Sequence, residues 1–506
     1  MFGITSLLLI LEPVSGTFYI NLCFISRMKL FFNILLTIFV ILNLYPQQRN
    51  LEQKLRTAQY YEQIQDWENA VKLYEELFKV DSVNVVFFDA LLRGYDQLKR
   101  YDDAVKIINT QLKFRQNDVA LLSQLGKMYA RGGNNEKAIA SWERALEIDK
   151  KNINSYTVVA STMIESRMLE QAIKVYQIGR SVLGNPYLFA PDLGYLNSMF
   201  MNFTEATREY LLLLEQSPAQ LGFVQSRIST YTSKPDGLSA AILVVSDAQK
   251  SEPNNLALLH LLAWLYMEGK EYDQAFSIYT SIDEKLKAGG REIYNFGERA
   301  LREKAYSSAA KAFEEVINKY PKSINVGSAK FGYARTLEEA SADEDTSKLF
   351  GDLKPFQFIR TQKHSNLPSF HPTYSAAIEA YTKLILEYPK TEFAANSLYR
   401  TAHIHFNVIF DPVKSLDALH QIEKSYSNFV SVLIESSALM GKVYIVQGNL
   451  DNAAEKFQWL NDCRSASADT RERANFGLAE IDFLKGNFKD AISRLQTLTK
   501  NPATET

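Results

Sequence analysis

Side chains able to do chemistry are sparse in this 506-residue chain, and few fall at useful spacings. Of its six histidines, His403 and His405 stand two apart on a predicted helix. Residues two apart point to different faces, whereas a helical metal pair needs i and i+4, so both read as partly exposed helix residues. His364 and His371 share a stretch without helical periodicity with the acidic triplet Asp343, Glu344 and Asp345. That combination reads as a solvated loop with surface charge in preference to a metal site. The chain has no Gly-rich phosphate loop followed by Lys, no HExxH, no CxxC and no nucleophile elbow. Gly132-Gly133 and Gly289-Gly290 read as helix-ending or turn glycines. The expectation is therefore a chain with no catalytic residues, no metal and no cofactor, and so not an enzyme.

Composition excludes further classes. A formal net charge of −2 leaves no basic field to hold nucleic acid or an anionic lipid surface. Cys23 lies in an N-terminal leader and Cys463 would stand alone in a mature protein, so no disulfide framework exists.

What positions the remaining side chains is a repeat. Ala70, Ala104, Ala138, Ala172, Ala206 and Ala240 follow one another at intervals of 34; Ala275 comes 35 later and Ala309 another 34. Four residues after most of these anchors sits a large apolar side chain: Tyr74, Ile108, Trp142, Tyr176, Tyr210, Val244, Tyr279, Phe313. Twelve before them comes a small or apolar one, such as Ala58, Leu92, Gly126, Ala160, Gly194, Ala263 or Gly297. A period of this length is that of a two-helix unit stacking on copies of itself. Small residues should face small ones where the helices approach, and the i+4 aromatic should fill the gap one turn on. Pro218, Pro321 and Pro389 lie twelve after anchors 206, 309 and 377, where proline ends a second helix.

These positions resemble the tetratricopeptide repeat family, whose first helix carries the small residue and whose second carries Ala-x-x-x-aromatic. The resemblance implies an all-α fold, a right-handed α-solenoid of about twelve stacked antiparallel helix pairs. After Ala309 the next anchor is Ala377 with Tyr381, two periods on; Ser415, Ala453 and Ala491 then follow at steps of 38. The expected organisation is a leader (1–47), 34-residue repeats (48–322), a pair interrupted by an inserted loop at 341–372 (323–390), and repeats of 38-residue spacing (391–506). Residues 384–406, with Tyr388-Pro389 before a helix of small residues and an aromatic, look like the repeats of Tol-Pal-associated and outer-membrane assembly proteins of bacterial envelopes.

The leader carries Arg27, Met28 and Lys29 before an apolar run of 16 residues, Leu30 to Tyr45. A positive start before a short apolar core is the layout of a signal peptide, and Met28 is a natural initiation site. No small-x-small cleavage motif appears near 43–48, so the run would serve as a cleaved signal or as an inner-membrane tether through residues 30–45.

In the resembled family the residue after the small first-helix position points into a concave face. That implies groove positions Gln59, Arg93, Lys127, Ser161, Tyr195, Ser229, Trp264, Glu298, His403, Lys442 and Glu480, with Asp96, Met267 and Phe483 one turn on. Arg93 and Lys127 would hold a carboxylate or acidic peptide, unless they are ordinary solvated charges. Tyr195 and Trp264 would anchor a peptide or pack in the core. None of these positions holds the Asn that chaperone-binding clamps need. The expected function is a non-catalytic scaffold of the bacterial envelope that binds proteins or extended peptides. The alternatives are a cytoplasmic regulatory adaptor and a cell-wall glycan-associated envelope protein. Oligomeric state stays open at this level.

Overall fold

The computed structural model describes residues 50–350 and 372–499, without the side chains at 235 and 344–350. Leader residues 1–47, His364, His371 and most of the expected insertion lie outside the described residues. Within them the chain is helical with no strand, and twelve first helices (A) alternate with twelve second helices (B). The chain divides into two compact units at Leu196/Asn197, a boundary that falls inside one helix.

The first unit runs α1 (50–63), α2 (Trp67–Val80), α3 (Val85–Gln97), α4 (Tyr101–Phe114), α5 (Val119–Arg131), α6 (Asn135–Ile148), α7 (Ile153–Glu165), α8 (Leu169–Leu183) and the start of α9 (Ala190–Met199). Asp and Asn residues start several of these helices: the Asp66, Asn84, Asp118, Asn134 and Asn152 side chains each accept from backbone N–H groups of the first turn. The A-to-B turns are set differently. Gln65, Lys99, Gly133, Arg167 and Met201, each 34 residues after the last, adopt positive φ. The next N–H then reaches back over the turn, as Arg100 N–H to Tyr95 O (2.8 Å) and Asn134 N–H to Tyr129 O (2.8 Å), closing the helix end.

The second unit continues with α10 (Phe203–Gln216), a 3₁₀ turn (Pro218–Gln220), α11 (Leu221–Thr232), α12 (Pro235–Ser251), α13 (Leu256–Glu268), α14 (Tyr272–Leu286), α15 (Arg291–Arg302) and α16 (Tyr306–Lys319). It ends with α17 (Val326–Phe350), α18 (Tyr374–Glu387), α19 (Glu392–Asn407), α20 (Pro412–Ser425), α21 (Val430–Val446), α22 (Leu450–Asp462), α23 (Ala468–Leu484) and α24 (Phe488–Thr499). The change of step from 34 to 38 has a simple cause. Helices α19, α21 and α23 have 16 to 17 residues where α13 and α15 have 13 and 12. About one extra turn in each A helix lengthens the repeat by about four residues.

Anchors Ala70, Ala104, Ala138, Ala172, Ala206, Ala275, Ala309, Ala377 and Ala453 are fully buried, and Ala491 nearly so. Ala240 is the exception. It is half-buried, while Ala241 and Val245 are fully buried in its place. The 35-residue step thus falls between Ala206 and Ala241, where the 3₁₀ turn and a two-residue α11–α12 connection ending at Pro235 replace the regular left-handed turn.

At three seams the small A-helix residue is a glycine that lies directly against the B-helix aromatic of its own pair. A Cβ on Gly126 would come within 2.5 Å of the Trp142 indole, whose Nε1 donates to Ser123 O and, on the next A helix, Thr162 Oγ1. Phe313 lies between Gly297 of its own pair and Gly332 of the next, with added Cβ atoms 2.8 and 2.6 Å from the ring. Phe457 is held the same way by Gly441 and Gly477, at 2.6 and 2.7 Å. One ring therefore locks three helices together.

The expected start of the insertion at Ser341 is also displaced. Helix α17 runs on to Phe350 because Ser341 is buried with its hydroxyl on Leu337 O, and Asp343 accepts from Tyr306 Oη (2.9 Å) and pairs with Lys304 (3.2 Å). Asp343 is thus tied to α16 and the turn before it and does not stand in a loop.

Candidate partner-binding groove

Helices α3 and α5 are consecutive A helices of the first unit, and between them runs a groove of about 390 Å³. Its floor is apolar: Phe88, Leu92, Leu121 and Met128 are buried, while Val85 on the rim is 53% exposed. Charged residues line the walls. Arg93, Asp96 and Asp89 come from α3, Lys127 from α5, and Arg115 and Asp118 from the turn between α4 and α5. Three expected groove residues, Arg93, Asp96 and Lys127, are thus brought together.

Their charges are not free. Arg93 donates through Nε and Nη2 to Glu62 of α1, at 3.1 and 2.9 Å. Lys127 pairs with Glu165 of α7 at 2.6 Å and with Asp96 at 3.6 Å; Asp96 also holds Arg131. Arg115 pairs with Asp118 at 3.4 Å. Arg93 and Lys127 are thus each paired with carboxylates of neighbouring A helices. The second unit repeats the device, with Arg299 on Glu268 (3.1 Å) and Arg335 close to Glu298 (3.9 Å). Opposite charges roughly one repeat apart, such as Glu62 with Arg93 and Glu268 with Arg299, were the available sequence signal. The first-turn groove residues Val85, Phe88 and Leu121, together with Gln124, lay outside the expected register.

The other expected positions scatter. Met267 is buried in the core of the second unit, where the strongly apolar α13 leaves it no open face, so it is not a groove residue. Trp264 is half-buried and Tyr195 is 51% exposed. His403 lies beside Tyr399 with the rings tilted and their centres 6.4 Å apart, and its pKa is lowered by burial and by the nearby Arg400. Lys442 is exposed. Glu480 lines a separate recess of about 360 Å³ with Phe476, Phe483, Phe488, Ile492 and Leu495 on the last two helices. Glu338, in contrast, is a buried polar node that sequence reasoning passed over. It accepts from Tyr381 Oη (2.7 Å) and from Arg400 Nε and Nη2 (2.8 Å each), joining α17, α18 and α19. Among the described residues no three His, Cys, Asp or Glu side chains gather as a metal set, and no helix is long and apolar enough to cross a membrane.

Comparison with known proteins agrees with this architecture. Residues 119–152 (α5 and α6) and 298–323 (the end of α15 through α16) match models of the tetratricopeptide repeat. Those two segments are similar to the tetratricopeptide repeat, and the described helices follow one another in consecutive packed pairs, consistent with a solenoid of such repeats. Both matches lie before residue 324, so the likeness of 384–406 to envelope repeats rests on its own residues. Solved structures with similar chains include Naa15/Naa10 bound to HypK-THB (15% identity, TM-score 0.31, covering 90% of this chain and 69% of that one). The yeast Tom70 is another (11%, 0.30, 90% and 100%), as is the P58(IPK) TPR domain (10%, 0.22, 87% and 99%). At such scores the likenesses assign neither partner nor process. No curated protein sequence matches the chain.

Proposed function

We propose that this protein is a non-catalytic scaffold of a bacterial cell envelope that holds an extended segment of a partner protein in the α3–α5 groove. The observation that carries the reading is the groove itself, an apolar floor with an exposed apolar rim and charged walls, across which Asp96 of α3 pairs with Lys127 and Arg131 of α5. Apolar anchors give a partner segment its affinity and the polar walls its register. Export is supported by Arg27 and Lys29 before the apolar run Leu30 to Tyr45, which would end as a cleaved signal or a tether. Two experiments test the proposal. A periplasm-active reporter fused after residue 60 gives signal if the chain is exported; silence favours the cytoplasmic adaptor. Gln124→Trp, at a half-buried lining position, fills the groove. Envelope partners recovered with the wild-type chain are lost with this variant, and recovery of the same partners with both overturns the groove.

A further inference from the structure

Resting on the groove assignment just made, we infer that its occupant brings a basic residue, and that an acidic segment is the wrong partner. Each cation around the groove is already held: Arg93 by Glu62, Arg115 by Asp118, Arg131 by Asp96, and Lys127 by both Glu165 and Asp96. An incoming carboxylate would have to displace a resident one. The carboxylates are not so completely matched. Asp89 is exposed on α3, lines the groove and has no ion pair among the described residues. Asp96 turns Oδ2 to Arg131 and Lys127, while its Oδ1 is buried with no donor in reach. An ammonium or guanidinium group finds Asp89 open, and a seated segment's N–H supplies the donor that Asp96 lacks once the side chains over it part. The apolar floor accepts the aliphatic stem of a Lys or Arg and an apolar neighbour beside it. The ligand class is therefore an extended segment in which a basic residue adjoins an apolar one.

The test uses the full chain and two labelled peptides, one of repeating Ser-Leu-Lys and one of repeating Ser-Leu-Glu, followed by fluorescence anisotropy at physiological ionic strength. The lysine peptide is expected to bind at least about tenfold more tightly than its glutamate twin. Asp89→Lys should lower its affinity by about tenfold, Asp89→Asn by less, and Gln124→Trp should remove binding. Because Asp89 is exposed and unpaired, its two variants should unfold at the wild-type temperature, which separates lost charge from lost fold. A tighter glutamate peptide, or a lysine peptide indifferent to Asp89→Lys, overturns the charge assignment. If the glutamate peptide binds and Gln124→Trp removes it, the groove stands and only the basic ligand falls. If neither peptide binds, both fall.

Discussion

At the scale of single residues, the fold depends on one clearance repeated along the chain. Phe313 touches Gly297 on one side and Gly332 on the other, and neither glycine has room for a methyl group. Gly332→Ala should therefore cost about 1–3 kcal/mol, read as a lowered midpoint in urea unfolding. The opposite change is expected at Ser415, which occupies an anchor alanine's place fully buried with no partner for its hydroxyl. Ser415→Ala should raise stability by about 1 kcal/mol in the same measurement. Titration gives a third handle. Burial, and then the charges of Arg400 and Lys442, lower the pKa of His403 against the opposing pull of Glu338. Below its ordinary value near 6.5 the unfolded chain then takes up the proton more readily than the folded one. Stability falls as pH drops from about 6.5 through the lowered folded value, and His403→Gln should flatten that part of the curve in thermal melts at stepped pH. The alanine anchors were legible because a seam with no clearance admits few residue types. The partners of Arg93 and Lys127 were not, because a register on one helix carries no information about which carboxylate the neighbouring helix presents.

At the scale of elements, the beat of the helix pairs is kept by their turns as much as by their seams. Among the described residues ten non-Gly positions take positive φ, including Gln65, Lys99, Arg167, Lys270 and Lys304 in the A-to-B turns. Only Gly133, Gly448 and Gly486 announce that turn in the sequence by residue type. A lysine in the left-handed region is strained by about 1 kcal/mol relative to glycine, and Lys270 has φ 57° and no ion pair among the described residues. Lys270→Gly should accordingly stabilise the second unit by about 0.5–1 kcal/mol in urea unfolding, and an unchanged or lower midpoint contradicts this account of the turn. Helix existence was readable nearly everywhere, since apolar stripes recur along the chain and many helices start at a capping Asn, Asp, Ser or Thr. The exceptions have physical causes. Ala240 and Ala241 are adjacent, so the sequence offers two registers, and the shortened turn before Pro235 selects the second. Helix α17 outruns its apolar periodicity because Asp343 finds partners in Lys304 and Tyr306, beyond the reach of any local pattern.

At the scale of the whole molecule, the sequence displays the class of architecture more readily than its divisions. The step of 34 marks the repeats from 48 to 322, while the chain divides into two compact units at Leu196/Asn197. The same limit applies to function. Repeats state that a surface for partners exists, whereas the chemistry of the partner depends on which groove charges remain unopposed after the helices have matched one another. The most direct measurement is photo-crosslinking in living cells, with a compact diazirine amino acid of about glutamine's size, small enough to leave the groove open, placed at Gln124 and, separately, at Lys106 on the exposed face of α4. The account predicts a discrete adduct with one partner from Gln124, abolished by Asp89→Lys, and none from Lys106. Adducts that are the same from both positions, or absent from Gln124 in cells expressing the full chain, would contradict it.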